Sequence, residues 1–168
     1  EHQFVTKDIM NQIKTGALYT NETPTISAHG GIPAGTTFKG KTVQEMFDAI
    51  LYPYVAPTVS ASMTYTPSGT TQETGTTVSV SAITVNVTKK SASITKVEIF
   101  DGSTSLGSKT EGVANGGAFT FSFSSAPKTF TANKYYTAKV TDSTGKVTTA
   151  NTQAVSFVRP FYYGVTAK

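Results

Sequence analysis

The stretch GAFTFSFSS, residues 117–125, decides the fold because apolar and polar side chains alternate along most of its length. Phe119, Phe121 and Phe123 share one parity, and small hydroxyl residues hold the positions between and after them. Successive side chains of a β-strand point to opposite faces, so this period of two predicts a strand that buries its phenylalanines. Such a strand belongs in an antiparallel sheet with one buried and one hydrated face.

Weaker versions of the same pattern recur on both sides of this strand. Further segments combine β-branched or aromatic residues with flanking turn residues, and they are TVSASMTY (58–65), TTVSVSAITVNVT (76–88), SITKVEIFD (93–101), STSLGSK (103–109), KYYTAKVTD (134–142) and KVTTANTQAVSFV (146–158). About seven strands over roughly 100 residues is the size of an immunoglobulin-like β-sandwich. The predicted fold class is therefore mainly β, and the lack of Cys and Trp excludes a sandwich of the antibody type.

Two of these segments cannot be regular strands. In TTVSVSAITVNVT, Val78 and Val80 fall on one parity whereas Ile83 and Val85 fall on the other. A strict period of two can bury only one of these sets, so the sequence predicts a β-bulge or a strand break near Ala82. The last segment, KVTTANTQAVSFV, also loses its period, and an irregularity is expected in its middle.

The composition narrows the class of function. The net charge is +4, but the 14 basic residues are scattered rather than gathered in a stripe, so no nucleic acid is expected as a partner. No apolar run approaches the roughly 20 residues of a membrane span, so no membrane insertion is expected either. Without Cys, and with only His2 and His29 as histidines, the sequence indicates no metal site and no activated nucleophile. We predict no catalytic residues, no cofactor and no enzymatic activity.

Residues 35–42, GTTFKGKT, match the nucleotide-binding P-loop pattern G-x-x-x-x-G-K-[ST]. A P-loop follows a buried parallel strand, but the preceding TISAHGGIPA is polar and broken by glycines. Parallel strands also need crossover helices, and the sequence shows no helical pattern after residue 51. We interpret the eight residues as a turn and a helix start, in which Thr42 and Glu45 form a capping box.

Three zones follow from these patterns. Residues 1–56 form an N-terminal attachment or oligomerisation segment with a short helix at 42–51, and FVTKDIMNQIKTG (4–16) has the pattern of a second helix. Residues 57–158 form the β-sandwich, and residues 159–168 form an aromatic C-terminal tail.

Candidate contact residues lie in the first and the last zone. The helix carries one apolar stripe and the linker after it is rich in tyrosine; the predicted docking or oligomer interface comprises Val43, Met46, Phe47, Ile50, Leu51, Tyr52 and Tyr54. In the tail, the candidate partner-binding aromatics are Phe161, Tyr162 and Tyr163. Exposed aromatic rings can stack on sugars or dock into a partner; the alternative is that these rings cover the ends of the sandwich.

The segment GGIPAGTTFKGKTVQEMFDAILYPYVAPT, residues 30–58, resembles a segment of structural proteins of tailed bacteriophages and prophages. In those proteins a glycine-rich turn, a short helix, a similar linker and an immunoglobulin-like domain follow in order. The spacing Tyr136-x-Ala138-x-Val140-x-Asp142 also resembles the penultimate strand of such domains, in which the tyrosine commonly forms a tyrosine corner. The resemblance implies a non-enzymatic virion component, namely a head fibre, a capsid decoration protein or a tail appendage. It further implies capsid or tail proteins as partners and a homo-oligomer, often a trimer.

A second class of function stays open at this point. A secreted bacterial immunoglobulin-like adhesin or carbohydrate-binding module would share the same composition. Its partner would be a host-surface glycan, and its place would be the cell exterior rather than the virion.

Overall fold

The computed structural model describes residue 32 and residues 34–161 of the chain. The chain divides into two compact units, with the boundary between Val55 and Ala56. The first unit contains the helix α1 (Val43–Leu51), and the second helix predicted at 4–16 lies outside the described residues. The mainly β class is confirmed, because the described part of the second unit contains the strands β1 (Thr58–Thr66), β2 (Thr71–Glu73), β3 (Val78–Thr88), β4 (Ile94–Asp101), β5 (Thr104–Lys109), β6 (Gly116–Ser122), β7 (Lys128–Phe130), β8 (Thr137–Asp142), β9 (Val147–Asn151) and β10 (Ser156–Val158).

The strand β3 is the centre of the first sheet. It pairs with β1 along one edge, and along the other edge with β6 and, nearer its start, with β7; all these pairs are antiparallel. The alternation predicted for residues 117–125 is confirmed: Phe121 is buried, Phe119 and Phe123 are half-buried, and the hydroxyl residues that alternate with them are exposed.

The second sheet has the order β5-β4-β8-β9, and its pairs are antiparallel. The last predicted segment is interrupted in its middle, as expected. Its first part is β9, which belongs to this sheet, and its last part is β10, which pairs in parallel with β2. In the interruption, the Thr152 N–H donates to the Tyr136 carbonyl at 2.9 Å and the Tyr136 N–H donates to Thr152 Oγ1 at 3.0 Å.

The number of strands differs from the sequence-based expectation of about seven. Within residues 34–161, β2, β7 and β10 are three residues each, and the other strands have five residues or more. Each longer strand corresponds to a segment that the sequence predicts. Three residues are too few to show a period, so sequence patterns do not separate the short strands from the loops around them.

The irregularity predicted near Ala82 is confirmed as a β-bulge. Thr64 of β1 stands opposite Ala82, but the next residue, Tyr65, stands opposite Val80, so Ser81 has no partner in the register. Ser81 nevertheless forms hydrogen bonds: its hydroxyl donates to the Thr64 carbonyl at 3.2 Å, and its carbonyl accepts the Phe123 N–H at 2.6 Å. The bulge changes the parity of β3, so that valines and isoleucines on both sides of it are buried.

Both sheets contribute to one hydrophobic core. Its members share near-complete burial, and they include Val78, Val80, Ile83 and Val85 of β3, Val97 and Ile99 of β4, and Ala138 and Val140 of β8. Tyr136, only 1% exposed, packs its ring edge-on against Phe130 with 6.5 Å between ring centroids. Tyr136, Ala138 and Val140 therefore share one buried face of the chain.

Charge is distributed unequally between the two sheets. The strands β1, β3 and β6 contain no charged residue, and their outer face carries serine, threonine and asparagine side chains. Thr84 and Thr120 join neighbouring strands there through a 3.0 Å hydrogen bond between their hydroxyls. The second sheet instead carries Lys96 and Glu98, which form a 2.8 Å ion pair, and Lys139, whose ammonium lies 4.2 Å from the Phe100 ring centroid.

Gly116 at the start of β6 is expected to tolerate no side chain. Its φ is 74°, and a Cβ there would overlap the carbonyl oxygen of Val87 on the central strand. We expect Gly116→Ala to lower the free energy of unfolding by about 2–4 kcal/mol, because the left-handed backbone and the overlap both disfavour it. Urea denaturation measures this loss.

Gly112 is the matched control for that substitution. Its φ is 68°, but among the described residues no atom lies within 4 Å of a Cβ placed there. Gly112→Ala should therefore cost only about 1 kcal/mol, the contribution of the backbone conformation alone. Equal losses for the two variants would show that the contact with β3 does not constrain the start of β6.

Tyr136 is expected to make the stability fall in alkaline solution. Burial, and secondarily the negative charge of Asp101, raises the pKa of Tyr136 from 10.0 to about 12. The folded chain thus holds the phenolic proton more tightly than the unfolded chain does. Its contribution to stability is complete below pH 10 and is lost as the pH rises to about 12. Urea denaturation across this range should show the decline.

Tyr136→Phe separates this effect from the titration of lysines. The variant keeps the ring in the core but has no proton to lose, so its stability should decline less over the same pH range. Parallel declines for the two proteins would contradict the assignment to Tyr136.

Candidate functional site

The helix α1 begins with the capping box that the sequence predicts. The Glu45 N–H donates to Thr42 Oγ1 at 3.1 Å, and the Thr42 N–H donates to Glu45 Oε2 at 2.7 Å. The bond from the Thr42 N–H, reinforced by Lys41, lowers the pKa of the Glu45 carboxyl. Lys41 Nζ lies 3.4 Å from Glu45 Oε1, so this lysine forms an ion pair within its own turn.

The surroundings of GTTFKGKT are unfavourable for phosphate. A cleft of about 380 Å³ lies beside the turn, and it is lined by Lys41, whose ammonium pairs with Glu45, and by the carboxylates of Glu45 and Asp48. These carboxylates would repel a phosphate group. The backbone amides that a P-loop would turn towards phosphate are also engaged, since the Lys41 N–H donates to the Phe38 carbonyl at 2.9 Å and the next amide donates to Glu45. The interpretation as a turn and an N-cap agrees with this geometry.

The apolar stripe of α1 remains in contact with water. No residue of the helix is buried: Val43 and Met46 are half-buried, and the exposed fractions of Phe47, Ile50 and Leu51 are 56%, 45% and 63%. We call these five residues the apolar face of α1. The structure thus places all five predicted interface residues of the helix on one accessible surface.

The linker after the helix extends the exposed apolar area along the chain. Tyr52 caps the C-terminus of α1, where its N–H donates to the Asp48 carbonyl at 2.8 Å, and its side chain is 77% exposed. Val55 is also exposed, whereas Tyr54 is half-buried. Of the two predicted interface tyrosines, Tyr52 is therefore the more accessible.

The aromatic tail is described only at its start. Phe161 is 85% exposed, and its role as a partner-binding ring stays a prediction. Tyr162 and Tyr163 lie outside the described residues, so their role stays a prediction.

Sequence reasoning missed a polar cleft at one end of the second sheet. It has a volume of about 390 Å³ and lies between the β4–β5 turn and the segment that enters β8; its lining residues are Asp101, Gly102, Asn133, Lys134, Tyr135 and Thr137. Asp-Gly is a common turn pair, so the sequence gives no reason to assign Asp101 and Gly102 to a cleft. The tyrosine pair was an available signal, because a buried Tyr136 requires that Tyr135 point outward.

The buried carboxylate of Asp142 has a structural explanation. Asp142 is 2% exposed, and its Oδ1 accepts hydrogen bonds from the Thr144 N–H, the Thr144 hydroxyl and the Lys146 N–H at 2.6–3.1 Å. These bonds hold the turn between β8 and β9, which is an ordinary role of an aspartate side chain in a turn.

Residues 32 and 34–161 contain no group of three or more His, Asp or Glu side chains placed to hold a metal ion. The helix in this part of the chain is too short to cross a membrane. His2 and His29 lie outside the described residues.

Comparison with known proteins does not indicate a function for these surfaces. No family model matches the chain, and no curated protein matches its sequence. The resemblance of residues 30–58 to phage structural proteins therefore stays an expectation, and the function has to be argued from the surfaces described above.

Proposed function

We propose that this chain is a non-enzymatic structural component of a phage particle, of the head-fibre, capsid-decoration or tail-appendage type. Its N-terminal segment docks onto another virion subunit, and the second compact unit, which contains β1–β10 and is called the β unit below, is displayed. The observation that carries this proposal is the exposure of the apolar face of α1, which supports a contact with another protein surface. The resemblance of residues 30–58 supplies the class of particle.

Burial of this face would supply substantial free energy. Phe47, Ile50 and Leu51 are exposed large apolar side chains, and full burial of such a side chain contributes about 1.5–3 kcal/mol. The helix has nine residues, and isolated helices of this length are marginal in water. A partner that covers the face would therefore stabilise the helix as well as the contact.

We further propose that the displayed unit is an immunoglobulin-like sandwich. Its sheets have the orders β1-β3-β6 and β5-β4-β8-β9, which correspond to the A-B-E and C′-C-F-G strands of that fold. Tyr136 stands two residues before the buried Ala138, the spacing of a tyrosine corner, and it is almost fully buried.

The apolar face of α1 could also join copies of this chain in a homo-oligomer, which in fibre proteins is often a trimer. Three copies of one short amphipathic helix can bury their apolar faces on each other around an axis. Lys41, just before each helix, pairs with Glu45 within its own chain, so the charge of Glu45 would not oppose such an approach.

Phe47→Asp tests the docking role of the helix. A carboxylate in the middle of the apolar face would have to lose its water on docking, so we expect loss of self-association or of incorporation into particles. Multi-angle light scattering measures the first and particle composition the second. The β unit should remain folded, with an unchanged unfolding temperature of its main transition.

Gln44→Asp is the matched control. It introduces the same side chain into the same helix, at an exposed position where Gln44 now hydrogen-bonds to Asp48 at 2.8 Å. It should weaken the helix to a similar extent but leave assembly intact. If Phe47→Asp assembles as well as the original chain, or if that chain is monomeric at high concentration and does not enter particles, the docking role is wrong and the adhesin alternative gains support.

A further inference from the structure

The polar cleft of the β unit combines features that suit a small polar ligand. At about 390 Å³ it has the size of the smaller ligand sites of proteins. Its walls come from segments far apart in sequence, the β4–β5 turn at Asp101 and Gly102 and the residues 133–137 that lead into β8. A site assembled in this way depends on the fold rather than on a local motif.

The groups that line the cleft are held in place before any ligand arrives. The backbone of Lys134 exchanges two hydrogen bonds with that of Val155, at 3.0 Å and 2.9 Å. Its ammonium lies 2.8 Å from Asp101 Oδ2 and 5.5 Å from the centroid of the Tyr136 ring. Asn133 Oδ1 accepts the Phe157 N–H at 2.7 Å, which fixes the direction of the side-chain amide. Ordered polar groups of this kind lose little entropy on binding.

Several polar side-chain groups at the cleft can still form hydrogen bonds to a ligand. Among the described residues, no group donates to Asp101 Oδ1 and none accepts from the Asn133 Nδ2 amide. The Lys134 ammonium has three donors, of which the ion pair with Asp101 uses one. The cleft therefore offers at least one acceptor and several donors at neighbouring positions, which is what a ligand with adjacent hydroxyl groups requires.

An exposed aromatic ring lies at the same place. The Tyr135 side chain is 52% exposed and lines the cleft. A ring with one open face can cover the apolar, C–H-bearing face of a sugar ring, which buries area at low entropic cost. The combination of an aromatic ring with adjacent donors and acceptors matches the two kinds of surface that a saccharide ring presents.

The charges favour a neutral ligand. Asp101 and Lys134 pair at 2.8 Å, so the cleft carries no net charge from these two residues. An anionic ligand such as a phosphate or a sulfated sugar would face the Asp101 carboxylate, and a cation would face the ammonium. A hydroxyl group can bond to either member of the pair without separating them.

We propose that this cleft binds one ring of a neutral saccharide, which stacks on Tyr135 and exchanges hydrogen bonds with Asp101, Asn133 and Lys134. The binding does not depend on the virion role proposed above or on the state of assembly. In a displayed domain it would provide contact with an uncharged surface glycan.

The test is an NMR titration of the full chain with neutral oligosaccharides of glucose, galactose, mannose and N-acetylglucosamine. We expect saturable shifts of the Gly102 amide and the Asn133 side-chain amide with at least one of them. Tyr135→Ala should weaken that binding about tenfold, the size of an aromatic stacking contribution. Lys134→Gln should also weaken it, because the ion pair that orders Asp101 is lost.

Lys96→Gln is the control for the loss of an ion pair. Lys96 also forms a 2.8 Å ion pair, with Glu98 on the same sheet but outside the cleft lining, and its loss should leave binding unchanged. Thermal unfolding of each variant checks that the fold is intact. The proposal is overturned if no neutral saccharide shifts these amides, if folded Tyr135→Ala binds as well as the original chain, or if only acidic sugars bind. None of these results depends on assembly, so they leave the docking proposal to its own test.

Discussion

The burial of both halves of β3 is the constraint on which the rest of the β unit depends. Val78 and Val80 precede the Ser81 bulge, Ile83 and Val85 follow it, and all four are fully buried. A straight strand would expose one of these pairs to solvent. Each valine or isoleucine so exposed would lower the free energy of unfolding by about 1.5–3 kcal/mol. The bulge also divides the neighbouring edge, because β7 pairs before it and β6 after it.

The bulge was predictable from the sequence because its signal is local. Two apolar runs of opposite parity in one short segment require a break between them, and neither run needs knowledge of its partners. The same holds for the strand at residues 117–125 and for the capping box of Thr42 and Glu45, since a period or a spacing of three residues carries the information. These local patterns account for the longer strands and for the helix.

The features that the sequence did not reveal join residues far apart in the chain. The cleft needs Asp101 beside Lys134, and the parallel pair needs β10 beside β2; no local pattern encodes either proximity. The P-loop match shows that a complete local pattern can also predict a site that the structure does not support. Its eight-residue pattern is complete, but the adjacent cleft carries two carboxylates, Glu45 and Asp48, against one lysine, Lys41, which already pairs with Glu45. This balance of charge is unfavourable for phosphate. For the apolar face of α1, the periodicity identified the residues, but only the structure shows that they are exposed.

The unequal distribution of charge between the two sheets has a consequence for the conditions in which the β unit can work. The outer face of β1, β3 and β6 carries no ionisable side chain, because Tyr65 of β1 packs against the core on the inner face. Acid or alkali therefore cannot change the charge of this outer face, and dissolved salt has nothing there to screen. The other sheet, with Lys96, Glu98 and Lys139, responds to both. The outer face of β1, β3 and β6 therefore keeps the same charge when the pH or the salt concentration changes, whereas the outer face of the other sheet does not.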